Sequence, residues 1–148
     1  MARQPLRVVA SRIAAAALAA TVLASGALAG CSADGELIVT TNAAGHVLMS
    51  DARHAEAVAG SVVEGTLTIV DSCFGLNTST GDFAAVFPQG SGLIENTDQV
   101  SIPGWGTLGL GNHYQGGGGI LESSTLSYHD VIPAGCQAGR IIVLNPIR

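Results

Sequence analysis

The stretch Ser61-Val62-Val63-Glu64-Gly65-Thr66-Leu67-Thr68-Ile69-Val70-Asp71 carries the clearest structural signal in this 148-residue chain. Val, Ile and Thr dominate it, and these β-branched residues favour strands. Gly65 interrupts the run, which is typical of a bulge or bend that lets a strand curl. The stretch therefore predicts a long, bent strand in the wall of a small barrel.

The chain beyond it repeats short apolar runs separated by Gly, Pro, Asn and Asp. Strand-like runs occupy residues 36–41, 46–49, 73–76, 83–87, 93–95, 100–102, 107–111 and 140–144. Residues 51–59 favour a marginal helical turn or a linker, and the four glycines at 116–119 favour a loop. Short strands with a turn about every eight to twelve residues predict an all-β barrel or sandwich of one domain. The order of the runs resembles a five-stranded, OB-like barrel.

The first 30 residues have the three parts of a signal peptide. Arg3, Arg7 and Arg12 form a basic start, and the uncharged run at 13–23 is rich in Ala, Leu and Val. Small residues at 25–27 end that run. We therefore expect an N-terminal signal helix that directs the chain out of the cytoplasm.

Leu28-Ala29-Gly30-Cys31 follows the apolar run: a branched apolar residue, two small residues and a Cys. The four positions resemble the lipobox of bacterial lipoprotein precursors. The resemblance implies cleavage between Gly30 and Cys31 and attachment of diacylglyceryl and N-acyl chains, such as palmitate, to Cys31. One acyl chain binds a membrane only marginally, whereas two or three hold firmly.

The expected organisation is a signal peptide at 1–30, a lipidated tether at 31–35 and a single β domain at 36–148, anchored on the extracytoplasmic face of the cell membrane. Two alternatives remain. Cys31 could be incidental in an ordinary secretory signal, or the run 13–30 could be an uncleaved span. Spans need about 20 apolar residues, and Ser25 and Gly26 weaken this one.

The two other cysteines are left to pair once Cys31 carries lipid. Disulfides persist in oxidising compartments, so we predict a disulfide between Cys73 and Cys136. This disulfide would link the last strand covalently to the barrel wall. A reactive thiol pair is the alternative, but neither a C-x-x-C spacing nor a neighbouring base favours it.

The mature part is strongly acidic. Three Arg are its only fixed cations against all 11 acidic residues, a formal charge of −8, and the chain has no Lys. Nucleic acid is therefore an unexpected partner, and anionic lipid heads would not hold the surface. The scarcity of Lys and the abundance of Ala, Gly and Val resemble the small lipoproteins of actinobacteria.

Two sequence patterns could indicate a cofactor site or a catalytic site. Residues 104–109 match G-x-G-x-x-G, but no helix signal follows to hold a pyrophosphate. His129-Asp130 could act with His113 as an acid–base or metal site, if the three converge on one ion. No G-x-S-x-G nucleophile motif occurs. We expect no resident cofactor or metal apart from the lipid, and surface histidines are the simpler interpretation.

Trp105, flanked by glycines, is either a core residue or an exposed stacking platform. If it is exposed near His113 and Tyr114, the three would form a binding patch for a sugar or a peptide. The sequence thus favours a non-enzymatic, lipid-anchored domain that binds an envelope glycan or protein. A small extracytoplasmic enzyme or metal-binding protein using His113, His129 and Asp130 is the alternative, and a structural spacer without a cleft is a third hypothesis.

Overall fold

The computed structural model describes residues 37–51 and 61–145. The signal peptide, the lipobox, the tether and the 52–59 part of the marginal helix lie outside these residues. All of the described residues belong to one unit, Cys31–Arg148. Within the described part, no helix is long and apolar enough to cross a membrane.

Ten strands and three short 3₁₀ turns make up the described structure. The strands are β1 Leu37–Thr41, β2 Val47–Asp51, β3 Val62–Val70, β4 Cys73–Thr78, β5 Gly81–Phe87, β6 Gly92–Leu93, β7 Gln99–Ile102, β8 Gly106–Gly109, β9 His113–Glu122 and β10 Arg140–Leu144. The 3₁₀ turns are Ser123–Thr125, His129–Val131 and Ala134–Cys136. The prediction of an all-β fold is confirmed.

Five strands close into a barrel. β3, β4 and β5 pair in succession as antiparallel neighbours, and β9 returns to the free side of β3. This is a Greek-key order. β10 then closes the ring, antiparallel to β9 and parallel to β5. This closed, five-stranded Greek-key barrel is OB-like, but its fourth strand is β9 and not the predicted run 107–111, most of which forms β8 of a separate small sheet.

Side chains that alternate along the strands fill the barrel interior. Every second side chain points inward, so Leu67 on β3, Leu76 on β4 and Phe83 on β5 share one buried cluster. Side chains from the small sheet β6–β7–β8, inserted between β5 and β9, join the same cluster. The insertion is thereby part of the barrel core.

The four consecutive glycines do not form a loop, which corrects that prediction. They lie within β9, where Gly116 pairs with Val63 of β3 and Gly119 pairs with Val143 of β10. A Cβ at Gly116 would collide with the Tyr114 ring and hydroxyl, and one at Gly118 would meet the Val143 carbonyl. The glycines are therefore required by close packing in a strand, which composition alone does not distinguish from a loop.

A second core covers the outside of β5 and β10. Outward-facing Val86 and Ile141 pack beside Met49 of β2, and Tyr128 and Ile132 of the segment 123–139 complete the cluster. Met49 is paired with Val86, so the hairpin β1–β2 extends the barrel wall at this point. The residues that cover this outer face belong to the same chain.

The predicted disulfide between Cys73 and Cys136 is confirmed, with the two Cα atoms 5.6 Å apart. Both residues are buried in the second core. The bond closes a loop with a sequence separation of 63 residues, for which chain entropy predicts roughly 4 kcal/mol of stabilisation. It fixes the covering segment to the start of β4.

Candidate ligand-binding surface

Four polar side chains form a row across four adjacent barrel strands. His113 on β9 is opposite Thr66 on β3, Thr66 is also opposite Asn77 on β4, and Asn77 is opposite Asp82 on β5. With strands about 4.8 Å apart, this row extends roughly 14 Å. We call these four residues the polar row.

The alternation of each strand turns the row outward. The neighbours Leu67, Leu76, Phe83 and Tyr114 all belong to the interior cluster, so the adjacent row positions face the other side of the sheet. Unlike the outward positions of β5 and β10 in the second core, the row carries no apolar side chain.

A hydrogen bond lies at one end of the row and a His–carboxylate contact at the other. Asn77 Nδ2 donates to Asp82 Oδ1 over 2.5 Å. At the other end, His113 Nε2 lies 3.3 Å from Glu64 Oε1, and both side chains are more than half exposed. The Thr66 hydroxyl lies between these two pairs and faces outward at the centre.

One concave cleft lies along three residues of the row, and a second cleft adjoins it. One, of about 390 Å³, is lined by His113, Thr66, Asn77, Glu64, Thr78 and Ser79. The other, of about 500 Å³, shares Glu64, Thr78 and Ser79 and continues to Val62 and Ile120. Both volumes fall in the range of about 300–1,000 Å³ that is usual for ligand sites.

The turn between β4 and β5 forms one wall of both clefts. The Thr78 hydroxyl donates to the Gly81 carbonyl over 2.9 Å and accepts from the Thr80 amide over 3.2 Å. Gly81 has a φ of 133°, which glycine tolerates and other residues rarely adopt. These bonds hold the hydroxyls of Ser79 and Thr80 at the edge of the groove.

The structure does not assemble the aromatic patch as an exposed site. Tyr114 is fully buried, and its ring lies 5.7 Å from that of the half-buried Trp105. Burial raises the pKa of the Tyr114 phenol. His113 precedes Tyr114 on β9 and points to the opposite, outer face. Of the three residues, only His113 belongs to an open groove.

The three residues of the alternative metal site are not brought together. His113 begins the ten-residue strand β9, whereas His129 and Asp130 follow its far end. At about 3.3 Å per residue, that strand separates its ends by roughly 30 Å. In residues 37–51 and 61–145 there is no group of three His, Cys, Asp or Glu side chains that could hold a metal ion. The G-x-G-x-x-G run forms β8 and leads into β9, without the helix that the motif needs.

Another polar cluster joins the β1–β2 hairpin to the inserted sheet. Asp98 accepts hydrogen bonds from Asn42 over 2.7 Å and from His46 over 2.9 Å. The bond to His46, and then the one to Asn42, hold the pKa of Asp98 below its usual value. The His46 ring also lies edge-on to Phe74. These contacts make the cluster a connection between elements.

Sequence reasoning singled out His113 and missed Thr66, Asn77, Asp82 and Glu64. The four missed residues are common surface types on three strands, and only the pairing register places them together. The alternation in 62–70 assigns Glu64 and Thr66 to one face, but it does not reveal their neighbours.

The chain matches no family model, no curated protein and no solved structure.

Proposed function

We propose that this protein is a lipid-anchored binding domain of the cell envelope, held on the extracytoplasmic face of the membrane through Cys31. The basic start, the apolar run and the lipobox 28–31 support the anchor. The Cys73–Cys136 disulfide supports an oxidising compartment, because such bonds are rare where thiols are kept reduced.

One observation carries the binding role: His113, Thr66 and Asn77 of the polar row line an open cleft, while the outer face of β10 and of the 84–86 part of β5 is covered. OB barrels commonly bind ligands on the face of their second and third strands. The corresponding strands here are β4 and β5, whose outward Cys73, Ala84 and Val86 are buried in the second core. A ligand would therefore bind beside that face, across β9, β3 and β4.

The role is non-enzymatic binding. The groove brings together side chains that can form hydrogen bonds with a ligand, and the proposal assigns no reaction to them. The acidic surface of the mature part disfavours nucleic acid as the partner.

The anchor is tested by intact mass spectrometry of the membrane fraction without reductant, comparing wild type with Cys31→Ala. We expect a wild-type chain that begins at Cys31, carries acyl chains and lacks the two hydrogens of one disulfide. The Cys31→Ala chain should carry no acyl mass and should leave the membrane fraction or keep its signal peptide. An unacylated wild-type chain, or a processed Cys31→Ala chain that stays membrane-bound, would contradict the anchor.

A further inference from the structure

The side chains of the polar row can pair with groups that both donate and accept hydrogen bonds. The Thr66 hydroxyl and the Asn77 carboxamide each offer a donor and an acceptor, His113 adds its ring nitrogens, and Asp82 and Glu64 accept. Vicinal hydroxyls of sugars have this same dual character. We propose that the polar row binds a neutral carbohydrate chain lying across the barrel strands; this deepens the proposed function and rests on it.

Charge argues for a neutral ligand. Asp82 within the row and Glu64 beside it are carboxylates, and among residues 37–51 and 61–145 no Arg or Lys lines either cleft. Arg140 lies over the Phe83 ring and 3.9 Å from Glu122, outside both clefts. A phosphate, sulfate or uronate would meet like charge without a compensating cation, so an anionic glycan is disfavoured.

Backbone pairing argues against an extended peptide. β3 is paired on both sides, with β4 and with β9, so the backbone under the row has no free edge for an added strand. The row also lacks the aromatic or aliphatic pocket in which a peptide side chain usually anchors. Side-chain hydrogen bonds are what this surface offers.

The shape favours a chain of several sugar rings. The two clefts share the wall formed by Glu64, Thr78 and Ser79, so one ligand can extend from His113 past that wall into the second cleft. There Val62, 71% exposed, offers an apolar surface to the C–H face of a ring. A single ring would contact only part of the roughly 14 Å row.

The test uses the full-length protein in detergent and isothermal titration calorimetry against dextran, mannan and arabinogalactan. Alginate serves as an anionic polysaccharide and denatured casein as an unfolded polypeptide. Thr66→Val removes the central hydroxyl with little change in shape. Thr68→Val is the matched control, because Thr68 is also half-buried and outward on β3 but lines neither cleft.

We expect at least one neutral polysaccharide to bind. Loss of one hydrogen bond, about 1 kcal/mol, should raise its Kd about fivefold in Thr66→Val, while Thr68→Val stays within about twofold of wild type. Asn77→Ala also leaves Asp82 without its partner and should weaken binding about tenfold or more. Circular dichroism should show all three variants folded.

Absence of binding to all three neutral polysaccharides overturns the inference, as does preference for alginate or casein. Equal effects of Thr66→Val and Thr68→Val also overturn it, because binding would then not use the row. These results are independent of the anchor. A lipidated, disulfide-bonded protein that ignores every polysaccharide would contradict the carbohydrate ligand and leave the anchored location intact.

Discussion

Two outer faces of the same barrel carry side chains of different polarity, and only one of the two faces is covered. On β5 and β10 the outward residues Ala84, Val86, Ile141 and Val143 are apolar, and the segment 123–139 covers them together with Met49 of the paired strand β2. On β9, β3 and β4 the outward residues His113, Thr66 and Asn77 are polar and line a cleft. Burying apolar surface stabilises the first face, whereas leaving the second in water avoids the cost of desolvating polar groups.

Removing the disulfide that fixes the covering segment should have the largest effect on stability. Replacing Cys73 and Cys136 together by Ala removes the constraint on a 63-residue separation and should cost roughly 4 kcal/mol of unfolding free energy. Urea unfolding with and without reductant measures it. Wild type should be sensitive to reductant and the double variant insensitive. Equal unfolding midpoints for wild type and the double variant in oxidising buffer would show that the disulfide does not hold this face.

Packing of β9, which supports the open face, should be the next most sensitive feature. Gly116→Ala places a methyl group against the Tyr114 ring, and such overpacking costs about 1–3 kcal/mol. Gly92→Ala is the matched control, because a Cβ there meets nothing within 4 Å. Thermal unfolding should show a lower midpoint for Gly116→Ala alone. Similar midpoints for the two variants would contradict the placement of the glycines in a packed strand.

Alkaline pH should weaken the covered face selectively. Burial, and then the charge of Asp51, raise the pKa of Tyr128 to about 12. An unfolded tyrosine titrates near 10. Because the folded pKa is the higher one, Tyr128 contributes stability below pH 10 that is lost as the pH rises to about 12, on the order of 1–2 kcal/mol.

The measurement for this prediction is urea unfolding at pH 9 and pH 11.5, in wild type and Tyr128→Phe. The stability of wild type should decrease more steeply with pH than that of the variant, which has no phenol at this position. Parallel decreases would show that Tyr128 is not buried in the covered face.

The Asp98 cluster should give the smallest effect. Its carboxyl has a lowered pKa, so its bonds to His46 and Asn42 contribute stability above the unfolded pKa that is lost as the pH falls through the folded value. Because the site is partly exposed, Asp98→Asn should lower the urea midpoint only slightly at pH 6 and by less at pH 2. A larger deficit at pH 2 than at pH 6 would reverse the sign of this linkage.

Strand-forming residues and turn residues sufficed to predict an all-β barrel or sandwich, and the count of cysteines outside the lipobox sufficed to predict the Cys73–Cys136 pair. They did not suffice for β9, because a run such as Gly116–Gly119 has no side chains to show the alternation of a strand. Its strand character comes from pairing with β3 and β10.

The candidate site was harder to predict than the fold. Thr66, Asn77 and Asp82 become neighbours only through the register of β3, β4 and β5, which no local pattern specifies. Trp105 and Tyr114, more conspicuous in the sequence, pack against each other and the core instead. The aromatic residues that stand out in the sequence therefore belong to the core, whereas common polar residues line the groove.

The account's central claim is that ligand binding takes place on the open face and not on the covered one. Amide chemical-shift mapping of the full-length protein in detergent, titrated with the tightest-binding neutral polysaccharide, tests it most directly. The account predicts shifts at Thr66, Asn77 and His113, with Val86 and Ile141 unchanged. Shifts concentrated at Val86 and Ile141, with the polar row unaffected, would contradict it.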